Sequence, residues 1–345
     1  MTRSLTPISP ALADLGWTPF FAEQVAPTEA GLTPVRVSVV HRSRLLAETG
    51  AGSVKLVVQD MVMDFAVGDW VLMDPASRMA IRRLDRRTLL RRRSEGARLP
   101  QLIAANVDTL FIVTSCNDDF NPARLERYLA FANQAGVDPV IVLTKIDQVA
   151  DAQSHRACAE SLQRGLAVVP LNGKTQGAAV LLAPWCGPGR TVALVGSSGV
   201  GKSTLLNTLA DKAADEAQAT GGIREHDAKG RHTTTARSLH EIAGGGWVID
   251  TPGMRTLQVS EFGVGLEMLF AEIAELAPNC RFRDCTHAHE PGCAVRAAVA
   301  AGAISADRLD RWRKLHEENR THASGPPHGR PTSPRPSSTN GRGRR

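Results

Sequence analysis

Three folded parts in series are expected of this 345-residue chain: a small all-β barrel, an α/β layer on a parallel sheet, and a helical unit around a metal. Three observations predict them. Short alternating or β-branched runs crowd the segment from Val35 to about Arg93. Apolar strand-like runs alternate with helical periods between Asn106 and Gly253. Three cysteines, Cys280, Cys285 and Cys293, then share a short stretch with histidines. The length exceeds what one core usually fills, so several domains are the fair prior.

Residues 1–33 hold Leu15-Gly16-Trp17 and Phe20-Phe21 but no long period, and read as an arm. Residues 34–98 follow as a barrel, with Val35 to Val39, Val54 to Val58 and Trp70 to Met73 as strands separated by Gly50, Gly52, Gly68 and Pro75. Strands this short at this spacing suggest an OB-fold, a fold that commonly binds RNA. Residues 99–258 carry the α/β pattern. Leu110 to Val113, Val140 to Leu143, Leu166 to Val169, Thr191 to Val195 and Trp247 to Ile249 are its strands, with helices over Arg124 to Ala135, His155 to Arg164 and from Ser203. Residues 259–320 are expected to be helical around the cysteines. Residues 321–345, rich in Pro, Gly, Ser and Arg, cannot bury enough apolar surface to offset ordering entropy and are expected to be a disordered basic tail.

The formal charge is +6 and unevenly placed. Ile81 to Arg98 holds eight arginines against Asp85 and Glu95, and no acid follows Glu318. Such a run suggests a polyanionic partner, nucleic acid above all. Met1 to Trp17 contains Pro7, Pro10 and Asp14, which does not suit a secretory leader. The most apolar stretch, Ala178 to Cys186, is broken by Pro184 and too short to span a bilayer. A cytoplasmic monomer with no membrane partner is expected.

The chemistry lies in three motifs and their order. Gly196, Ser197, Ser198, Gly199, Val200, Gly201, Lys202 and Ser203 fit a phosphate loop between a strand and a helix that continues through Thr204. Its glycines let successive N–H groups converge on anionic oxygens, and the helix dipole adds to them. Lys202 would reach the β and γ oxygens and Ser203 would ligate Mg²⁺. Asp250-Thr251-Pro252-Gly253 fits DxxG: Asp250 would hold Mg²⁺ through water and the Gly253 N–H would sense the γ-phosphate. Between them, Gly230-Arg231-His232-Thr233-Thr234-Thr235 stands where a first switch belongs, with Thr234 the best candidate to complete the Mg²⁺ shell and Thr233 next.

Thr144-Lys145-Ile146-Asp147 fits TKxD, a guanine-reading element. Asp147 would accept from N1–H and the exocyclic amine of guanine, a donor pair adenine lacks, while the Lys145 stem would lie along the base. Thr144 stands where most such sites carry Asn, which is expected to weaken a contact to the base or to the phosphate loop. Leu171-Asn172-Gly173-Lys174 is a poor match to the remaining base loop. In an ordinary GTPase TKxD follows the other two motifs; here it precedes both, so the core reads as a circularly permuted P-loop GTPase. Cys280, Cys285, His287 and Cys293 supply the four donors of a closed tetrahedral Zn²⁺ site, structural rather than catalytic, with His289 as the competing imidazole.

With these motifs in this order, the chain resembles the ribosome small-subunit-dependent GTPases of the RsgA/YjeQ family over roughly residues 30–320. The resemblance extends to Val67-Gly68-Asp69-Trp70-Val71, to Cys280 through His287 and to Glu290 through Val295. It implies an N-terminal OB-fold, a permuted GTPase and a C-terminal zinc domain. It also implies binding to the small ribosomal subunit and its rRNA, late maturation of that subunit, and GTP hydrolysis to GDP and phosphate stimulated by it. Met254 follows DxxG where many signalling GTPases place a water-orienting glutamine. The same replacement is a family feature, so intrinsic hydrolysis is expected to be slow, with His232 the internal candidate for the missing group alongside Lys202 and Thr234. The competing reading is an RNA-binding assembly factor for which GTP is mainly a structural ligand.

Overall fold

In the computed structural model the chain is described over residues 9–41, 44–59, 61–92, 100–117, 119–175, 177–210, 237–250 and 262–323. Two short helices, α1 (Pro10–Asp14) and α2 (Pro19–Ala22), precede strands β1 (Thr33–His41), β2 (Arg44–Glu48), β3 (Ser53–Leu56), β4 (Trp70–Met73) and β5 (Ala80–Arg83). A separate hairpin follows, β6 (Leu89–Arg92) with β7 (Gln101–Ala105).

The α/β layer then runs β8 (Thr109–Ser115), α3 (Pro122–Gln134), β9 (Asp138–Thr144), α4 (Ala152–Glu160), β10 (Ala167–Pro170), α5 (Gly177–Leu182), β11 (Thr191–Val195), α6 (Lys202–Leu209), β12 (Arg237–Glu241) and β13 (Trp247–Asp250). Helices α7 (Gly263–Leu269), α8 (Ala271–Leu276), α9 (Ala294–Ala300) and α10 (Ala306–Ala323) end the described chain. The last helix passes the boundary expected at residue 320.

The sheet order is β10-β9-β8-β11-β13-β12-β1-β2-β3, with β4 on β1 and β5 on β4. The first five strands are parallel, and β12 joins β13 antiparallel. Side chains alternate between two cores because successive strand residues face opposite sides. Leu110, Ile112, Ile141, Leu143, Ala193 and Val195 meet α3 and the C-terminal helices. Phe111, Val113, Val140, Val142, Val192 and Leu194 meet α5 and α6. Helices on both faces explain the unbroken apolar runs.

β1 serves two units. Thr33–Arg36 pairs with β4, while Val39 and Val40 pair with β12, beyond a register shift at Val37/Val39. A parallel bridge between Val57 and Met79 ties the segment after β3 to that before β5, closing the strand circuit β1-β2-β3-β5-β4 around Val35, Val37, Leu45, Ala47, Leu56, Val71 and Met73. β12, absent from the sequence reading, makes barrel and core one continuous sheet.

The N-terminal arm is packed, not loose. Leu15, Trp17 and Phe21 are buried with Trp70, Leu72 and Leu84, and the Trp17 ring meets Trp70 edge-on at 4.8 Å. Beneath them Arg36 is 1% exposed. It donates to Leu15 O (2.6 Å) and to Thr191 Oγ1 (2.7 Å), linking arm, barrel and β11. Burial pushes its guanidinium down to about 10, partly offset by Asp108, so it stays charged at neutral pH.

Candidate nucleotide and metal sites

Parallel strands end at the same edge, so the turns after β9, β10, β11 and β13 gather on one side of the sheet. β11 turns into the phosphate loop at Gly196, which has φ +140°; a Cβ there would meet Val113 O at 2.1 Å, so glycine lets the loop press against β8. Gly201, at φ +97°, caps α6. Lys202 Nζ donates to Gly196 O (2.8 Å) and to Ser197 O, which holds the ammonium over the loop. Ser198, Gly199, Ser203 and Thr204 lie exposed around it, with Val200 buried beneath.

The TKxD turn leans on this loop directly. Thr144, 2% exposed, donates its hydroxyl to Val200 O at 2.6 Å, with Thr114 O at 3.2 Å. Thr144 thus keeps one contact to the loop carbonyl, although its hydroxyl lacks an amide's second donor. Lys145 adopts φ +57°, a left-handed conformation that turns the chain sharply into the Ile146–Gln148 turn, where Asp147 is exposed. Next to it, Leu171 N donates to Leu143 O at 2.8 Å. Thr208 of α6 donates to Gly173 O at 2.9 Å, which brings the poorly matching loop against the phosphate-loop helix. Asp250 ends β13. His232, Thr233, Thr234, Gly253, Met254 and Arg93 lie outside the described residues.

The second constellation is closed. One ligand atom each from Cys280, Cys285, His287 and Cys293 lies within 4.8 Å of the others. The Cys280–Cys293 Sγ separation is 3.9 Å, and His287 Nδ1 lies 3.6 Å from Cys280 Sγ and 3.4 Å from Cys293 Sγ. A tetrahedron with Zn–S of about 2.3 Å and Zn–N of about 2.05 Å has edges near ~3.8 and ~3.6 Å, so the donors fit zinc. His287, not His289, joins them. Burial lowers the His287 imidazole below its ordinary value, which favours the neutral ring a metal needs. Cys293 Sγ accepts from Arg296 N (3.4 Å) at the start of α9.

Glu290, given no role from sequence, shapes the ligand loop. It accepts from Thr286 N (2.9 Å), Ala288 N (3.0 Å) and His289 N (3.1 Å), and its hydrogen bonds, that from the Thr286 hydroxyl foremost, hold its carboxyl far below the usual range.

The arginine run divides. Arg82 pairs with Glu29 (2.7 Å), Arg86 with the buried Asp69 (2.7 Å), and Arg87 with Asp108. These three fasten arm, barrel and core, which corrects the reading of the whole run as a polyanion surface. Arg83 and Arg91 are exposed, and Arg92 on β6 bonds Gln101 at 3.0 Å.

A phosphate loop on an inner strand, with the TKxD turn on an earlier strand of the same sheet, defines a circularly permuted GTPase. The RsgA GTPase family model matches residues 83–260. Over 321 residues the chain is 64% identical to the small ribosomal subunit biogenesis GTPase RsgA of Mesorhizobium japonicum, covering 92% of this chain and 93% of that protein. It is 47% identical to the small ribosomal subunit biogenesis GTPase RsgA 2 of Vibrio vulnificus, over 91% and 89% of the two chains. The crystal structure of YjeQ from Thermotoga maritima superposes with a TM-score of 0.60 at 25% identity, over 83% of this chain and 98% of that one. YloQ, described as a circularly permuted GTPase, shares the fold at a TM-score of 0.59 and 22% identity. The chain belongs to the RsgA GTPase family, and it is a GTP hydrolase.

Proposed function

We propose that this GTPase binds the small ribosomal subunit, acts late in its maturation, and leaves it when subunit-stimulated hydrolysis converts GTP to GDP. The observation that carries the reading is a phosphate loop locked by Thr144 to the guanine-reading turn, in a chain 64% identical to a protein named for small-subunit biogenesis.

Asp147 reads guanine and Lys145 covers its face. The loop N–H groups and Lys202 hold the β and γ oxygens. Ser203 and Thr234 would hold Mg²⁺, with Asp250 behind it, and the ion would neutralise phosphate charge. Gly253 follows the γ-phosphate, and His232 orients the attacking water that Met254 cannot. Cys280, Cys285, His287 and Cys293 would hold one Zn²⁺, a structural ion that fixes the loop between α8 and α9.

The strand circuit β1-β2-β3-β5-β4 supports an OB-fold assignment for the barrel, and the exposed arginines of β5 and β6 give it a face for rRNA phosphates. On this reading the protein works in the cytoplasm as a monomer. Among the described residues no helix is long and apolar enough to cross a membrane. GTP turnover measured with and without purified small subunits tests the reading. Stimulation by the subunit supports it. Binding without stimulation favours an assembly factor that uses GTP as a structural ligand.

A further inference from the structure

A cleft of about 800 Å³ opens in the C-terminal unit, between α7, α8, residues 280–283 and α10. Its volume falls within the range of small-molecule sites. Apolar side chains of α7 and α8 form one wall. Opposite them, Trp312 stacks on His316, with ring centroids 4.8 Å apart and planes 15° from parallel. At the rim stand Arg281, Arg283 and Phe282, which is 41% exposed although large and apolar. The Arg281 guanidinium sits 5.6 Å from the Phe282 ring centre. Glu267 adds a hydrogen-bond acceptor.

We propose that this cleft takes an unstacked base of single-stranded RNA, with the flanking phosphates on Arg281 and Arg283. The inference rests on the reading of the partner as an rRNA-bearing particle. The fitting occupant is flat, partly apolar and anionic at its edges, because the cleft offers an apolar inner wall beside the stacked Trp312–His316 pair and, at its mouth, the Phe282 ring next to two cations. A nucleotide in a single strand has all three properties. A duplex can insert a base only by first unpairing and unstacking it, a cost a single strand does not bear in full. An apolar peptide would fill the inner wall but leave both arginines and Glu267 without partners. The walls are held from two sides: residues 280–283 by the Cys/His cluster, and Trp312 by His287, whose ring lies 5.1 Å away. A preformed cleft loses little entropy on capture.

The test uses the full zinc-loaded chain and a labelled single-stranded RNA of about a dozen nucleotides, long enough for one such groove. Phe282→Ala should weaken its binding about 5- to 150-fold, the range expected for loss of one base–aromatic stack. Phe282→Trp should keep affinity and Phe282→Leu should not, since only the first retains a π face. Arg283→Glu should weaken binding and flatten its salt dependence. Zinc content of each variant is measured alongside, and the Trp and Leu variants decide the matter if the alanine variant folds poorly. Equal affinity across all four variants, or a Leu variant as good as wild type, overturns the proposal; the latter result points to an apolar peptide. Subunit-stimulated GTP turnover is read in the same variants. Persisting stimulation with unchanged oligonucleotide affinity removes the cleft proposal and leaves the proposed function standing. No stimulation in the wild type removes that function, while the oligonucleotide result still decides the cleft.

Discussion

Thr144 is where the substitution of one side chain by another can be followed to its consequence. Its hydroxyl satisfies a buried carbonyl of the phosphate loop at 2.6 Å. Thr144→Val keeps the shape and leaves Val200 O unpaired, which costs about 1–3 kcal/mol. GTP affinity should fall by about 5- to 150-fold if that cost is felt only when the loop closes on phosphate, with the preference for GTP over ATP unchanged. Titration of both nucleotides checks it, and an altered GTP-to-ATP ratio would show that the hydroxyl reads the base instead. Asp147→Asn should do the opposite, moving preference toward xanthine nucleotides, whose 2-oxo group suits an amide donor. An unaltered preference in nucleotide competition would remove Asp147 from the base site. TKxD and the phosphate loop were legible because backbone geometry restricts which residues can stand there: Gly196 tolerates no Cβ. Arg36 and Glu290 were not legible. An isolated arginine or glutamate in sequence carries no sign that tertiary packing will bury the one and surround the other with N–H groups.

Helix α3 carries more of the molecule than its amphipathic period implies. On one side it closes the sheet core. On the other, Gly265 of α7 comes so near that a Cβ would meet Ala130 O at 2.2 Å. Glu126, fully buried on α3, accepts from Arg308 (2.7 Å) and Arg311 (2.9 Å) of α10, and Arg308 also reaches Glu272 (2.8 Å). These long-range pairs had no local sequence signature, and neither did β12, whose polar run Arg237-Ser238-Leu239-His240-Glu241 lacks the apolar content of a central strand. Removing one partner of a buried pair typically costs about 3–5 kcal/mol. Arg308→Met should cost no more than the lower end of that range, because Arg311 still meets Glu126. Adding Glu126→Leu should recover part of the loss. Denaturant midpoints measure both, and an Arg308→Met chain as stable as the wild type would mean the pair contributes nothing. At the metal loop, Cys285→Ser should abolish zinc retention and loosen α9 and α10 while GTP still binds, which metal analysis and hydrogen exchange would separate. A variant that keeps its zinc would rule out Cys285 as a ligand.

At the scale of the whole chain, permutation decides what the nucleotide can move. The next described element after the DxxG motif is α7 and not another strand of the sheet, so Gly253, the proposed γ-phosphate sensor, precedes a helix packed on α3. The C-terminal helical unit is not a loosely tethered body. Its helices share one core with the sheet through Leu266, Leu269, Phe270 and Ile273, and the Glu126 pairs anchor its last helix. On the proposed switch, a pull on Gly253 would shift the contact of α7 with α3, and through α10 it would reorient the Cys/His loop and the cleft beside it. Coupling of this kind is reciprocal: whatever factor by which GTP tightens the small subunit, the subunit tightens GTP. Wild-type protein should sediment with small subunits more strongly with a GTP analogue than with GDP, and, if its arginines meet rRNA phosphates as proposed, its binding should weaken steeply with salt. Gly253→Ala and Thr234→Ala should bind subunits with one affinity whatever nucleotide is present, and His232→Ala should lower stimulated turnover while GTP binding is retained. Equal wild-type affinity with the analogue and with GDP would end the switch model, because a ligand with no preference between two states cannot move the balance between them.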